Sequence, residues 1–237
     1  MAAVYQAIGS GGGNTGDVTV GWPAAHAAND IGILVCCTAN QAPATPSGWT
    51  PLNGAGMGTG TPGAAGAIRL TAFWKRAASS SEASVVVADP GDHCYGRITT
   101  MRGCKTSGSP IDAYANSVKD TASIYSLPPG VTASEGGNDI LYFCARDYDS
   151  PAAQAFGEIN TNLTGLFERG DAGTGLGTGS GLAVYSGTLA APGDSGVLAA
   201  SLLNSTVEEY LCVAFLAAGA ATRAAAAVYY QHGFGNG

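Results

Sequence analysis

Ser195, within Pro192-Gly193-Asp194-Ser195-Gly196, and His26, within Pro23-Ala24-Ala25-His26, are the residues whose types could do covalent chemistry. An imidazole that takes the proton of a serine hydroxyl makes it a nucleophile, and acyl transfer is the reaction such a pair supports. The pair works only if the fold brings the two side chains within hydrogen-bond reach and a third group orients the base.

The order His then Ser, and the Gly-Asp-Ser-Gly tetrapeptide, match proteases of the chymotrypsin type, but the rest of that signature is missing. Val197 stands where the next glycine belongs, Ala27 where a cysteine follows the histidine, and no Ile-Val-Gly-Gly start exists. Other chemistries fare no better. The glycines from Gly175 to Gly181 could cradle a phosphate, yet no Lys-Ser or Lys-Thr follows and no helix opens there. Asp89, Asp92, Asp147 and Asp149 do not follow a calcium-loop spacing and read as turn residues. His93-Cys94 is the only metal-ligand adjacency, without a C-x-x-C. No catalytic residue, metal or cofactor is therefore expected. Among the aromatics, Trp74 lies on an alternating strand and reads as core. Trp49, at a loop-to-strand junction, and Tyr148, in Arg146-Asp147-Tyr148, remain as contacts for a glycan or a protein partner, since an aromatic face can stack on a sugar.

The elements that must position these residues recur. Asn29-Asp30-Ile31-Gly32-Ile33-Leu34-Val35-Cys36 is echoed by Asn138-Asp139-Ile140-Leu141-Tyr142-Phe143-Cys144, and Leu70-Thr71-Ala72-Phe73 through Val85-Val86-Val87 can be laid over Leu182-Ala183-Val184-Tyr185 through Val197-Leu198-Ala199. Arg97 to Met101 falls near Tyr210 to Ala214 in the same order. A period of roughly 110 residues fits two domains rather than a solenoid. The overlay puts Gly193 to Gly196 on Ser81 to Ser84, so the protease-like tetrapeptide is expected to be a polar hairpin loop.

Ile68 to Lys75 alternates apolar and polar residues, the pattern of a half-buried antiparallel strand, and short apolar runs are closed by turns such as Asp89-Pro90-Gly91-Asp92. The expected fold is all-β: two tandem, internally duplicated antiparallel β-sandwiches of jelly-roll or similar Greek-key type. Residues 1–115 form the first, with Gly9 to Gly16 as a flexible glycine-rich lead or a wide loop, and Gly103 to Pro110 as the connector just before the boundary. Residues 116–221 form the second, and 222–237 are a C-terminal tail. A long glycine-rich loop is expected in each unit, Asn53 to Gly66 and Asp171 to Gly181. Ala217 to Val228 is the one helical competitor.

The composition agrees: charged residues are 11% of the chain and glycines number 36. The net charge of -7, with scattered Lys and Arg, argues against nucleic acid as a partner. No apolar run of bilayer length occurs and no signal peptide is visible, so synthesis in a cytoplasm, with free thiols at all six cysteines, is expected.

Asp17-Val-Thr-Val, Ala28-Asn-Asp-Ile-Gly-Ile-Leu-Val, Pro46-Ser-Gly-Trp-Thr-Pro-Leu, Ala72-Phe-Trp-Lys-Arg-Ala and Gly91-Asp-His-Cys-Tyr-Gly-Arg-Ile through Met101-Arg-Gly resemble, in this order, bacteriophage and prophage virion proteins of minor tail, fibre or head-decoration type. Phe167-Glu-Arg, Gly179-Ser-Gly-Leu-Ala-Val and Glu208-Glu-Tyr-Leu-Cys-Val-Ala continue the similarity. The resemblance implies a non-enzymatic particle component made in the host cytoplasm. Its partners would be other capsid or tail proteins and further copies of itself. The alternative expectation is a carbohydrate-binding module that engages host surface glycans.

Overall fold

The computed structural model describes residues 1–52, 57–148 and 150–219. It is all-β, and the duplication is visible in its strand pairing. The first unit contains β1 (Val4–Ile8), β2 (Gly12–Asn14), β3 (Val18–Val20), β4 (Ile31–Thr38), β5 (Thr50–Pro51), β6 (Met57–Thr59), β7 (Ile68–Arg76), β8 (Val85–Val87) and β9 (Cys94–Arg102). The second contains β10 (Ile111–Ser126), β11 (Thr132–Ala133), β12 (Asn138–Arg146), β13 (Ala155–Ile159), β14 (Leu163–Thr174), β15 (Ser180–Leu189), β16 (Gly193–Asp194) and β17 (Ala199–Phe215). The large sheets run β1-β9-β4-β7-β5 and β10-β17-β12-β15-β14, and each unit adds a two-stranded ribbon, β3-β8 or β11-β16.

Ladder register fixes the correspondence. Cys36 lies opposite Thr71 and Gly96, and Cys144 lies opposite Ala183 and Tyr210, which makes Cys36 and Cys144 equivalent. The Leu70/Leu182 overlay follows from this register. The Asn29-Asp30 alignment with Asn138-Asp139 is out of step by one residue, and a one-residue slip in a strand exchanges its two faces. Ile31 faces the other unit, whereas Ile140 faces its own ribbon. The overlay also fails at its far end, because Gly193-Asp194, not Val197 to Ala199, makes the ribbon strand that matches β8, and Ala199 opens β17.

β4 and β12 are buried along their whole length, so each large sheet is apolar on both faces. One face meets the unit's own ribbon. Leu34, Cys36, Phe73 and Ile98 pack under Val18, Val20, Val85 and Val87, while Tyr142, Cys144 and Tyr185 pack with Val131 and Ala133. The other faces meet each other: Ile31, Ile33, Val35, Cys37, Leu70 and Met101 share one core with Leu141, Phe143, Leu182, Leu211, Val213 and Phe215. Across it β7 lies near β12 and β17, β15 near β4 and β9, β6 near β10 and β14 near β1, the pattern of two similar units related by a pseudo-twofold axis. The tandem units therefore form one stack with a shared central core.

Polar pins cross that core. Asn138 Oδ1 accepts the Ala3 N–H at 3.0 Å, Asp139 Oδ2 accepts the Tyr5 N–H at 2.8 Å, and the Asp139 N–H donates to the Ala3 carbonyl. The similar Asn29-Asp30 doublet of the first unit, one residue out of register, stays local, Asp30 pairing with Arg102 at 2.7 Å.

Several expectations about segments are corrected. The N-terminal lead is not a loose arm: β1 and β2 both pair with β9, and β1 occupies the place of β10. A boundary at residue 115 would cut β10, which pairs from Ile111 onward with β17, so the boundary falls within the Gly103 to Pro110 connector itself and not after it. Asp171 to Thr174 belong to β14, leaving only Gly175 to Gly179 as loop, and β6 lies inside the first glycine-rich segment. The tail 222–237, and the helical reading beyond Gly219, lie outside the described residues.

Candidate functional site

Ser195 is fully buried. Its Oγ accepts the Val131 N–H at 2.9 Å and the Tyr142 O–H at 2.9 Å, and lies 3.7 Å from Cys212 Sγ. Asn160 Nδ2 donates to the Ser195 carbonyl at 2.9 Å. Gly193-Asp194 is thus a strand of the β11-β16 ribbon instead of a hairpin loop, with Asp194 exposed and Ser195 turned inward. His26 belongs to the other unit: its Nδ1 is 2.6 Å from the Pro23 carbonyl, its Nε2 accepts the Glu82 N–H at 3.1 Å, and its ring packs on Trp22. The fold does not join the nucleophile to the base.

The glycine loop between β14 and β15 holds an anion of the protein's own. Asp92 Oδ2 accepts the Thr178 N–H at 2.7 Å and the Thr178 hydroxyl at 3.0 Å, and a Cβ at Gly177 would come within 2.4 Å of it. The His93 imidazole beside Asp92, with the Thr178 donors, holds its carboxyl below the usual range. This loop latches one unit to the other. Asp89 caps the Gly91 N–H, Asp147 bonds through its backbone to Val207 and Thr206, and Asp149 lies outside the described residues. Among the described residues no three potential ligands gather around a metal position. All six cysteines are free and buried, and Cys36 and Cys37 point to opposite faces as their adjacency requires.

Trp49 is 7% exposed, stacked at 5.5 Å on Trp22 inside the core beneath β3-β8. It cannot present a face to a glycan, which corrects that expectation: the strand junction that looked open is roofed by Trp22. Tyr148 is half-buried on the loop after β12. Trp74, read as core, does pack on the central core but keeps part of its surface.

That surface belongs to a groove of about 500 Å³ at the margin of the central core, where β5 of one unit meets β10 of the other. Thr50 and Trp74 sit opposite each other in the β5-β7 ladder, and Tyr114, paired with Val213, looks across from the second unit. Leu52 and Ile111 contribute apolar surface. Asp112, at an irregularity between Ile111 and Ala113, accepts the Ser134 N–H and Oγ at 2.6 Å each. Two aromatic rings, a threonine and a carboxylate around an open trough suit a ligand with both an apolar and a hydroxylated face. Sequence reasoning missed it because Trp74 and Tyr114 meet only through the packing of the two units.

A second feature was also missed. The far end of β10 and β17, with β13, carries six large apolar side chains on one outward face: Tyr125, Leu127, Phe156, Ile159, Val197 and Leu203. The legible signal was apolar residues at alternating positions on both faces of one strand, as in Leu202 and Leu203. No family model, curated protein or solved structure gives a significant match to the chain.

Proposed function

We propose that this chain is a non-enzymatic structural component of a bacteriophage particle, in capsid decoration or in the tail and its fibres. The observation that carries the reading is the exposed apolar face at the end of the second sheet, a surface that a protein acting in an assembly covers with a partner. The low content of charged residues and the shared central core support it, since both suit a fixed building block. The choice of a phage particle rests on the resemblance of short segments between Asp17 and Ala218 to phage virion proteins. The candidate nucleophile Ser195, spent on internal hydrogen bonds, fits a role without catalysis.

Stoichiometric recovery of the chain with purified intact particles is the expected result of a proteomic inventory. Its absence from virions would overturn the reading. A second reading, binding of host surface glycans, is favoured by the groove between Trp74 and Tyr114 and no longer by Trp49. Glycan-array binding that Tyr114→Ala abolishes would support it, and a blank array would remove it.

A further inference from the structure

The exposed apolar face continues the same face of β17 that meets the first unit. Val207, Leu211, Val213 and Phe215 pack on the central core. Beyond Val207 the second sheet overhangs, because β17 runs to Ala199 while its counterpart β9 starts at Cys94 and spans only nine residues. On the overhang Tyr125, Ser201 and Phe156 form one cross-strand row, and Ile159 lies opposite Ala199. The alternate positions Leu198 and Ala200 are buried in the second unit's own core, and Leu202 is buried as well. Both faces of this ribbon are therefore apolar, but only one is covered.

The overhang is held in a fixed shape. Lys119 pairs with Glu208 and donates to the Tyr125 carbonyl at 2.8 Å, which ties down the irregular stretch of β10. Asn204 Nδ2 donates to Gln154 Oε1 at 2.7 Å, and the Leu203 N–H donates to the Gln154 carbonyl at 2.8 Å. A rigid apolar surface loses little conformational entropy on binding.

We infer that this face is a homodimer interface, in which the overhang of one chain packs on the overhang of a second copy about a twofold axis. The central core already shows that this face of the sheet is built to receive another sheet of the same kind. A self-complementary patch closes as a dimer instead of a polymer. The six side chains are 49% to 68% exposed. At roughly 200 Å² for a fully exposed large apolar residue they present on the order of 700 Å² per copy, near the 800 Å² per partner of a standard interface. The inference rests on the reading of the chain as an assembly component.

Sedimentation of the isolated full chain tests it without the particle. The expected species has twice the 23.5 kDa chain mass at micromolar concentration. Leu203→Asp, which puts a charge from each copy into the interface, is expected to weaken association at least about tenfold, with native far-UV circular dichroism and a cooperative thermal transition retained. Ile159→Lys, on a different strand, provides the same readout should Leu203→Asp disturb folding. A wild-type chain that stays monomeric at about 100 μM, or folded variants that dimerise as well as the wild type, would overturn the inference. Monomers that are nevertheless found in virions would leave the assembly reading standing and make another virion protein the occupant. Dimers absent from virions would do the reverse.

Discussion

Ser195 shows how a residue suited to catalysis can be spent on architecture. Its hydroxyl satisfies a backbone N–H in a place that water does not reach, so Ser195→Ala leaves the Val131 N–H unpaired, while the Tyr142 O–H keeps the Gly196 carbonyl at 2.7 Å. The expected loss is about 1–3 kcal/mol in chemical denaturation, and a fluorophosphonate probe is expected to leave the wild-type chain unlabelled. Glu209 is also buried, and its two oxygens accept the Met57 and Leu70 N–H groups from the first unit at 2.6 and 2.5 Å. Burial outweighs those donors and pushes its carboxyl up to about 8. Burial likewise raises the Glu208 carboxyl despite Lys119. A folded state that holds a proton more tightly than the unfolded chain is favoured at low pH and loses that advantage as pH climbs through the raised value. The thermal midpoint is therefore expected to fall as pH rises from about 5 to about 8, by an amount on the order of a few kcal/mol in stability. Glu209→Gln is expected to flatten this slope. Asp92 and Glu82, whose carboxyls are held low by His93 and Lys75, act oppositely and lose their contribution only in more acidic solution.

At the scale of elements, the second sheet depends on a buried ion pair that sequence reading placed in a loop. Arg146 on β12 and Asp171 on β14 pair out of contact with water, and Asp171 Oδ2 accepts the Gln154 and Ala155 N–H groups at 2.7 Å each. Gly181, opposite Arg146 in the ladder, leaves room for the guanidinium, which a Cβ would approach to 2.6 Å. Removing one partner of such a pair strands the other, so Asp171→Ala is expected to cost about 3–5 kcal/mol in denaturant unfolding. The same loss should loosen β13, measured as faster amide exchange at Gln154 and Ala155. Trp49→Ala is expected to destabilise by about 3–5 kcal/mol, while glycan binding, if found, follows Tyr114. The alternation of Ile68 to Trp74 announced a strand correctly. Asp171 to Thr174 read as loop because glycine and aspartate disfavour strands, but pairing with β15 and the Arg146 charge outweigh that local preference.

For the whole molecule, the decisive feature is the core that the two units share. Cutting the chain at the Gly103 to Pro110 connector would expose Ile33, Val35 and Leu70 on one side and Phe143, Leu182 and Leu211 on the other. The intact chain is expected to unfold in one cooperative calorimetric transition, and the separately expressed halves to aggregate or fail to fold. Two resolved transitions, or soluble folded halves, would show that the units are energetically independent.

The sequence by itself determined the all-β class, the duplication and the strand from Ile68 to Trp74. Each follows from local alternation, residue type and order along the chain. Tertiary structure alone decided that the units stack about a shared core, that Asn138 and Asp139 reach across it while Asp30 does not, and that Trp49 is roofed by Trp22. It alone placed Trp74 beside Tyr114 and left Tyr125, Phe156 and Leu203 overhanging. The physical reason is that a strand pattern tells which face is apolar, whereas what covers that face is set by contacts between segments far apart in the chain.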